Sequence, residues 1–571
     1  MKTGGLKLLC MGSMALSIVI SGCSGGPGHI PPGGAYGGAC TPQTPDDMKK
    51  LLGCPLAQPD RLSPFDRLYL SERPPLAQHV YVIDITGEPY ERKVLAASLQ
   101  GIVNRTSARI YLIDSDTGQN RPWEEDDEEA SELFWLNYYE QAYGVDVVWE
   151  GSIEDALPLF ASYVNGYVLV SETEPWTINA GTTIAGRDGV LVAFQDDQAL
   201  LGSLGLKMKE SLVGKWTDTS DCYTYLYDHY YPTMRHRGIA VLNPEEYRLR
   251  DFLIQQGILT VYSRPSLSDW DTVKDIFSGM PPDLPVYGYM SVNGLEEFTA
   301  VMTLSQAGKF LVPTDTTPNL SFHVAAVPER PVVYSPATAT ASPCRHDRLN
   351  VTIAISDGDN LAMPVNRYIW SSYWGSGSRG DMPMGWSLSL ALKSLAPAIA
   401  DYYFSTASPD DEIVGMLGIG YAHPSYYSDR AFFFSKSFQR MGELGLDTFW
   451  TLDISMDDPD SAIWNDVEEN IAGGRPTGFF VGYSDMPIGY FRTPQGIPVL
   501  MPINDYEDTP SVLASRLTDI LAQPQSAWPP IVFLMASSWT NSMDGLVGDL
   551  KPLEAQGVNY LTPSQAFRCV P

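Results

Sequence analysis

Basic side chains are scarce in this 571-residue chain, where 37 Lys and Arg stand against 68 Asp and Glu for a formal net charge of −31 at neutral pH. That imbalance excludes nucleic acid as a partner, because grip on a phosphate backbone comes from Lys and Arg neutralising it. Histidine is rarer still, with seven residues. His79, His229, His236 and His323 have no partner at metal-ligand spacing, and His29 and His346 fall in stretches that read as tether and linker. Beyond the first twenty or so positions no apolar run is long enough to cross a bilayer. What remains, 44% hydrophobic residues with 44 prolines and 49 glycines, describes a globular protein rich in loops rather than a set of long bundles. The chain is too long for one hydrophobic core and should hold two to four units.

The amino terminus reads as an export signal: Lys2 and Lys7 flank the short apolar segment Leu8 to Ile20. The tetrapeptide Ile20-Ser21-Gly22-Cys23 resembles a bacterial lipobox, which implies cleavage before Cys23 and acylation of that residue, several acyl chains giving firm membrane anchoring. Ser24 after it resembles lipoproteins sorted to the outer membrane of Gram-negative cells; an ordinary signal peptide would instead give a secreted protein. The expected location is therefore the cell envelope or the exterior. Residues 1–22 are then signal peptide, and 23–62, which include the Gly/Pro-rich run "SGGPGHIPPGGAYGG", are a flexible tether. In an oxidising envelope Cys40 with Cys54 and Cys344 with Cys569 are candidate disulfides, leaving Cys222 single.

Strand, helix and strand follow in "HVYVIDI", "ERKVLAASLQGIVNR" and "ARIYLID", the pattern of a parallel α/β unit. "NGYVLVS", "GVLVAF", "RGIAVL", "ILTVYS", "PVYGYM" and "GKFLVPT" continue it, so residues 78–180 form one α/β module and 181–335 a second or two more. "PATATASPCRHD" reads as a linker. From 345 to 571 seven uninterrupted apolar strands alternate with helical stretches, among them "SLSLALKSLAPAIADYYF". Such strands belong to parallel sheets covered on both faces. The expected fold class is α/β, with a C-terminal distorted or incomplete (β/α) barrel preceded by two or three small α/β modules; an open doubly wound sheet is the alternative.

Those C-terminal strands end on polar residues: Asp357 and Asp359, Tyr421 and His423, Asp453, Asp485, Asp505 and Glu507, then Ser537, Trp539 and Asn541. In either parallel architecture the carboxyl ends of the strands share one side, where ligand sites form. In "SDGDN" the two acids stand two apart and share a side if the chain stays extended. Carboxylates that close raise one another's pKa, which suits proton donation near neutral pH, or else share a cation. The plainer reading is an Asp-Gly turn whose carboxylates cap backbone amides. Asp359 and Asp453 are the leading catalytic pair, with Asp357, Asp485 and Glu507 in reserve. Asn360, Tyr421, His423 and Trp539 are candidate ligand contacts. Trp374 joins them from the aromatic stretch "YIWSSYWGSGSRGDMPMGW", expected either as an exposed platform for sugar rings or as a loop folded against the barrel rim. In "LGIGYAHP", Gly418 and Gly420 let backbone or ligand approach closely, and Pro424 ends the strand.

"GIGYAHP", with "SDGDN", "SLQGIVNR" and "TDTTPNLSF", resembles the GxGYxYP family of bacterial envelope or secreted proteins, and the resemblance spans nearly the whole mature chain. It departs at one position: His423 stands where the signature has its second tyrosine. The resemblance implies a glycoside hydrolase acting on a carbohydrate, with no cofactor. Two other readings compete. "SDGDN" looks similar to the acidic motif of metal-dependent polysaccharide deacetylases, although His346 and His423 are the only histidines of residues 345–571. A surface lipoprotein that captures glycans without cutting them is the third. The sugar, its linkage and the oligomeric state stay open.

Overall fold

The computed structural model describes residues 62–115, 131–291, 293–335, 344–370, 372–472, 474–482 and 489–571. Cys23, Cys40, Cys54 and Asp485, with the expected signal peptide and tether, lie outside them. No helix of the described residues is long and apolar enough to cross a membrane.

Three small parallel sheets precede the C-terminal half. In the first, β1 (Leu76–Asp84) lies between β2 (Ala108–Ile113) and β3 (Asp146–Gly151). In the second, β4 (Tyr167–Leu169) lies between β5 (Leu191–Ala193) and β6 (Met208–Ser211). The third contains β7 (Ile239–Val241), β8 (Leu259–Val261), β9 (Leu284–Gly288) and β10 (Lys309–Val312) in the order β10-β9-β7-β8. Because β4 pairs with β5, the expected division at residue 180 falls inside the second sheet.

The stretches "SLQGIVNR" and "TDTTPNLSF" are the joints of these modules. Gln100 Nε2 donates to Asn319 Oδ1 at 2.7 Å, and Asn104 Nδ2 to Ser321 Oγ at 3.1 Å. The Asn319 amide pairs with both backbone groups of Leu112, at 2.8 Å each, standing beside β2 as an extra strand residue would. Arg105 Nη2 donates to the carbonyls of Gly186 (2.7 Å) and Ile254 (2.6 Å), holding the first module to the second and third at once. Buried backbone acceptors need such partners, and a charged donor supplies the stronger kind of bond.

The C-terminal sheet has nine strands: β11 (Leu349–Ile355), β12 (Met384–Leu388), β13 (Asp411–Met416), β14 (Thr448–Thr451), β15 (Gly478–Val481), β16 (Tyr490–Arg492), β17 (Pro498–Leu500), β18 (Val532–Ala536) and β19 (Val558–Leu561). Its order runs β17-β15-β14-β13-β12-β11-β18, all parallel, with β16 antiparallel on the β17 edge and β19 against the start of β11. The sheet curls until the two ends of this order touch. Just after β17, Pro502 bridges Phe533 of β18, Ile503 donates to the Phe533 carbonyl at 3.2 Å, and the Asn504 side chain pairs with both backbone groups of Met535 at 2.9 Å. This is a distorted barrel closed by a short seam rather than a full ladder.

Alternation sorts the strand residues between two cores, as a barrel wall requires. On β18, Val532, Leu534 and Ala536 join the large core under the helices and modules, while Phe533 and Met535 join a second cluster with Trp450, Phe480 and Phe567 that fills the lumen. Phe480 and Phe533 stack with ring centroids 4.1 Å apart, and Phe567 of the last helix (Pro563–Phe567) plugs the strands' amino ends, 4.8 Å from Phe480. Cys569, two residues on, is bonded to Cys344; Cys222 is free and buried.

One expectation fails here, and of the two readings of the aromatic stretch the folded loop holds. "SLSLALKSLAPAIADYYF" is not one helix: its start completes β12, and only Leu392–Leu395 and Pro397–Thr406 are helical. The aromatic stretch is no exposed platform. Tyr368, Trp370, Tyr373, Trp374 and Trp386 are all buried, Trp374 lying 4.9 Å from both Trp386 and Tyr403 by ring centroids. Five large rings gain more by packing together beneath the rim than by meeting water.

Candidate functional site

A cavity of about 840 Å³ opens between the carboxyl ends of the barrel strands and the carboxyl ends of β9 and β10 in the third module. The barrel side contributes Ser356 to Asn360 after β11, Tyr421 and His423 after β13, Leu452 and Ile454 after β14, Tyr506 and Glu507 after β17, and Trp539 after β18. The module side contributes Tyr289, Glu297, Phe298 and Asp315. Its size is that of a pocket for a small organic ligand or a few sugar units.

"SDGDN" forms the floor. Asp357 has a positive φ of 70°, a conformation Asp tolerates better than most residues but which still signals local strain. Its Oδ2 accepts from Ser356 Oγ, Ser538 N (3.3 Å) and Ser538 Oγ (3.0 Å), and its Oδ1 from Tyr506 OH at 2.5 Å. With about four lone-pair sites on a carboxylate, Oδ2 is saturated and Oδ1 keeps one. Gly358 N donates to Ser387 Oγ at 2.9 Å, pinning the turn to β12. Among the described residues no side chain donates to Asp359; only the backbone amides of Asp359 and Asn360 favour its charge. Surrounding protein strips away its water, and the charges of Asp357 and Glu297 repel its own, so the carboxyl is pushed up to about 8 although part of its surface faces the cavity. The two acids of the motif therefore differ: Asp357 is the hydrogen-bonded turn residue and Asp359 the perturbed carboxyl.

The glycine signature works on the backbone. Tyr421 pairs with Leu311 of β10 in an antiparallel bridge, N–H to carbonyl at 2.7 Å and the return bond at 2.8 Å. A Cβ on Gly420 would stand 2.6 Å from the Leu311 carbonyl, and Gly418 sits at φ 135°, so bare backbone is required where the barrel meets its neighbour. The Tyr421 hydroxyl then reaches across to Glu297 Oε1 at 2.9 Å, while Tyr289 donates to the other oxygen of the same carboxylate.

His423 is 3% exposed, its N–H donating to Ser305 Oγ at 2.9 Å, and neither ring nitrogen has a hydrogen-bond partner among the described residues. The ring packs 4.8 Å from Phe298, and burial holds the imidazole below the ordinary histidine value against the pull of Asp453. Asp453 itself does not reach the cavity. It is 1% exposed, and its two oxygens accept from Ser425 N (2.6 Å) and Ser455 N (3.0 Å), so it ties two loops together rather than facing a ligand. Trp374 is likewise absent from the wall. Trp539 is 41% exposed at the rim, with the Arg367 guanidinium 5.5 Å from its ring. Glu507 is exposed there too, and Asn360 lines the wall with its Oδ1 accepting from Ala362 N at 2.9 Å.

Glu297, Tyr289, Asp315 and Tyr506 were not singled out from sequence. Glu297 carried a usable signal, an acid in the first turn of the helix Gly294–Gln306 that follows β9, at a strand end like those of the C-terminal half. Burial and the charge of Glu246 push Asp315 up to about 6. Among the described residues no group of three or more His, Cys, Asp or Glu is placed to hold a metal ion.

The fold and cavity define a class: an α/β protein whose distorted barrel opens into an acid-lined hollow roofed by a second parallel sheet. The chain belongs to the GxGYxYP family. Residues 347–570 match its "GxGYxYP putative glycoside hydrolase C-terminal domain", and 79–165, 164–234 and 236–325 match its first, second and third domains. Among solved structures, a crystal structure described as a putative hydrolase from Bacteroides thetaiotaomicron VPI-5482 is similar, with a TM-score of 0.73 at 20% identity over 90% of this chain and 98% of the other. No curated protein matches.

Proposed function

We propose that the protein is a glycoside hydrolase that cuts a polysaccharide or oligosaccharide in this cavity, with Asp359 as the proton donor and Glu297 as the second carboxylate. The observation that carries the reading is the place of Asp359: its carboxyl lies on the wall of a ligand-sized cavity, removed from most water and beside the charges of Asp357 and Glu297, which pushes its pKa up to about 8. A glycosidic oxygen leaves as an alcohol only if it is protonated as the bond breaks, and a carboxyl with a raised pKa delivers that proton at neutral pH. Two carboxyl groups must flank the scissile bond. Asp359 rises from the barrel floor and Glu297 stands on the module side, with one hydroxyl donor on each of its oxygens. That leaves Glu297 lone pairs with which to stabilise the positive charge developing at the anomeric carbon. Asp357, saturated on Oδ2, serves as the fixed charge that keeps the proton on Asp359. The exposed face of Trp539 suits stacking on a sugar ring, and the buried ring of His423 behind the wall, unpaired among the described residues, would reach a sugar hydroxyl only by turning toward the cavity. Membership of a family described by this activity supports the reading, and the amino-terminal segment, read as an export signal, fits a glycan substrate met at the cell envelope.

The test is release of reducing ends from a panel of polysaccharides by the wild type and by Asp359→Asn and Glu297→Gln. Each variant should be slower by about 10²- to 10⁴-fold while still binding the glycan. Full rates in both variants would remove this assignment, and binding of glycans with no product from any of them would favour the capture reading.

A further inference from the structure

Resting on the reading just given, we infer that the cavity selects its glycan by charge, admitting neutral and amine-bearing sugar units and refusing those that carry uronate, sulfate or phosphate groups. Five carboxyl groups face the cavity, from Glu297, Asp315, Asp357, Asp359 and Glu507, and no Lys or Arg is among the described residues that line it. Two arginines behind the wall already have partners, although the charge of Arg248 is also felt at Asp315. Arg248 makes two bonds to Glu246, at 2.8 and 2.7 Å, and Arg367 donates to the Ser538 carbonyl at 2.7 Å beneath Trp539. The hydroxyls of Tyr289, Tyr421 and Tyr506 and the Ser538 groups satisfy carboxylates by hydrogen bonding without cancelling their charge.

An anionic sugar entering this space would lose water and find no cation, while a cleft with low-dielectric walls concentrates the field of its acids. A carboxylate or sulfate ester is the group such a site rejects, and rejection of the wrong charge separates ligands as effectively as new contacts to the right one. Sugar hydroxyls are donors that the free carboxylate lone pairs and the one unprotonated nitrogen of a neutral His423 ring accept; an ammonium group adds attraction to the same acceptors.

The experiment is a glycan array probed with the mature chain carrying Asp359→Asn to prevent turnover, followed by titration calorimetry on matched neutral, amine-bearing and uronate oligosaccharides of the backbone that binds. Neutral features should bind, amine-bearing counterparts at least about tenfold tighter at low salt with the advantage shrinking as salt rises, and acidic counterparts at least about tenfold weaker. Glu507→Lys, an exposed rim position, should recover binding of the acidic member. Acidic glycans bound as well as neutral ones would overturn the charge selection and leave the carbohydrate site standing. No bound feature of any charge would overturn both.

Discussion

At Asp359 the proton is held by circumstances that the residue does not own: removal from water, then the neighbouring charges of Asp357 and Glu297. The consequences have a sign. Between the ordinary carboxyl value of 3.8 and the folded value of about 8 the native state keeps a proton that the unfolded chain releases. The stabilisation linked to this group is therefore complete at acid pH and is lost as pH rises through about 8. Asp359→Asn cannot ionise, so its Tm should gain on that of the wild type between pH 5 and pH 9; a difference in Tm that stays constant over the range would contradict the shift. Activity should fall on the alkaline side near the same pH. Asp357→Asn, which removes one repelling charge, should move that limb of the kcat/KM profile to lower pH, and an unmoved limb would mean that Asp357 does not hold the proton in place. The candidate residues were visible in "SDGDN", but their division of labour was not: which acid is saturated by donors depends on Tyr506 and Ser538, 149 and 181 residues away from Asp357. Asp453 misled for the same reason, because a buried acid at a strand tip can cap loops as readily as face a ligand.

Among the elements, the glycine signature is a joint that also builds a site. The bridge between Tyr421 and Leu311 fixes the barrel to the third module and thereby sets the Tyr421 hydroxyl on Glu297. Gly420→Ala would push a methyl group to within 2.6 Å of the Leu311 carbonyl, and overpacking of this kind costs about 1–3 kcal/mol. The variant should show a lowered Tm together with a larger loss of activity than that loss of stability explains; wild-type values for both would refute the joint. The strands of this half were legible as apolar runs, with two exceptions: β12 and the three-residue edge strand β16, whose "YFR" is too short and too polar to read as one. In β12, Met384–Leu388, a glycine and a serine dilute the run, and the apolar spacing of "SLSLALKSLAPAI" after it reads as helical. Only its pairing with β11 and β13 makes it a strand. For the aromatic stretch ahead of it the sequence left two readings open, an exposed platform or a folded loop, because composition shows which rings are present and not what covers them.

At the scale of the molecule, the barrel is held by a short seam on one side and plugged from below by its own carboxy-terminal segment. The bond between Cys344 and Cys569 spans 225 residues and ties that plug to the entry of β11. Closing so long a loop restricts the unfolded chain, and losing the bond should cost about 2–5 kcal/mol. The double variant Cys344→Ser, Cys569→Ser should unfold at a clearly lower denaturant midpoint than the oxidised wild type, and an unchanged midpoint would show the plug to be held by packing alone. The amino-acid sequence by itself determined the α/β class, the run of small modules before a barrel, and the end of that barrel on which acids collect, because alternation, run length and turn residues are local properties and parallel strands share a direction. Only the tertiary structure decided that the cavity lies between two sheets rather than within one, that Glu297 completes it, and that Asp359 and not Asp453 faces it. Burial and the mutual repulsion of charges depend on which distant residues meet, and no local pattern carries that distance.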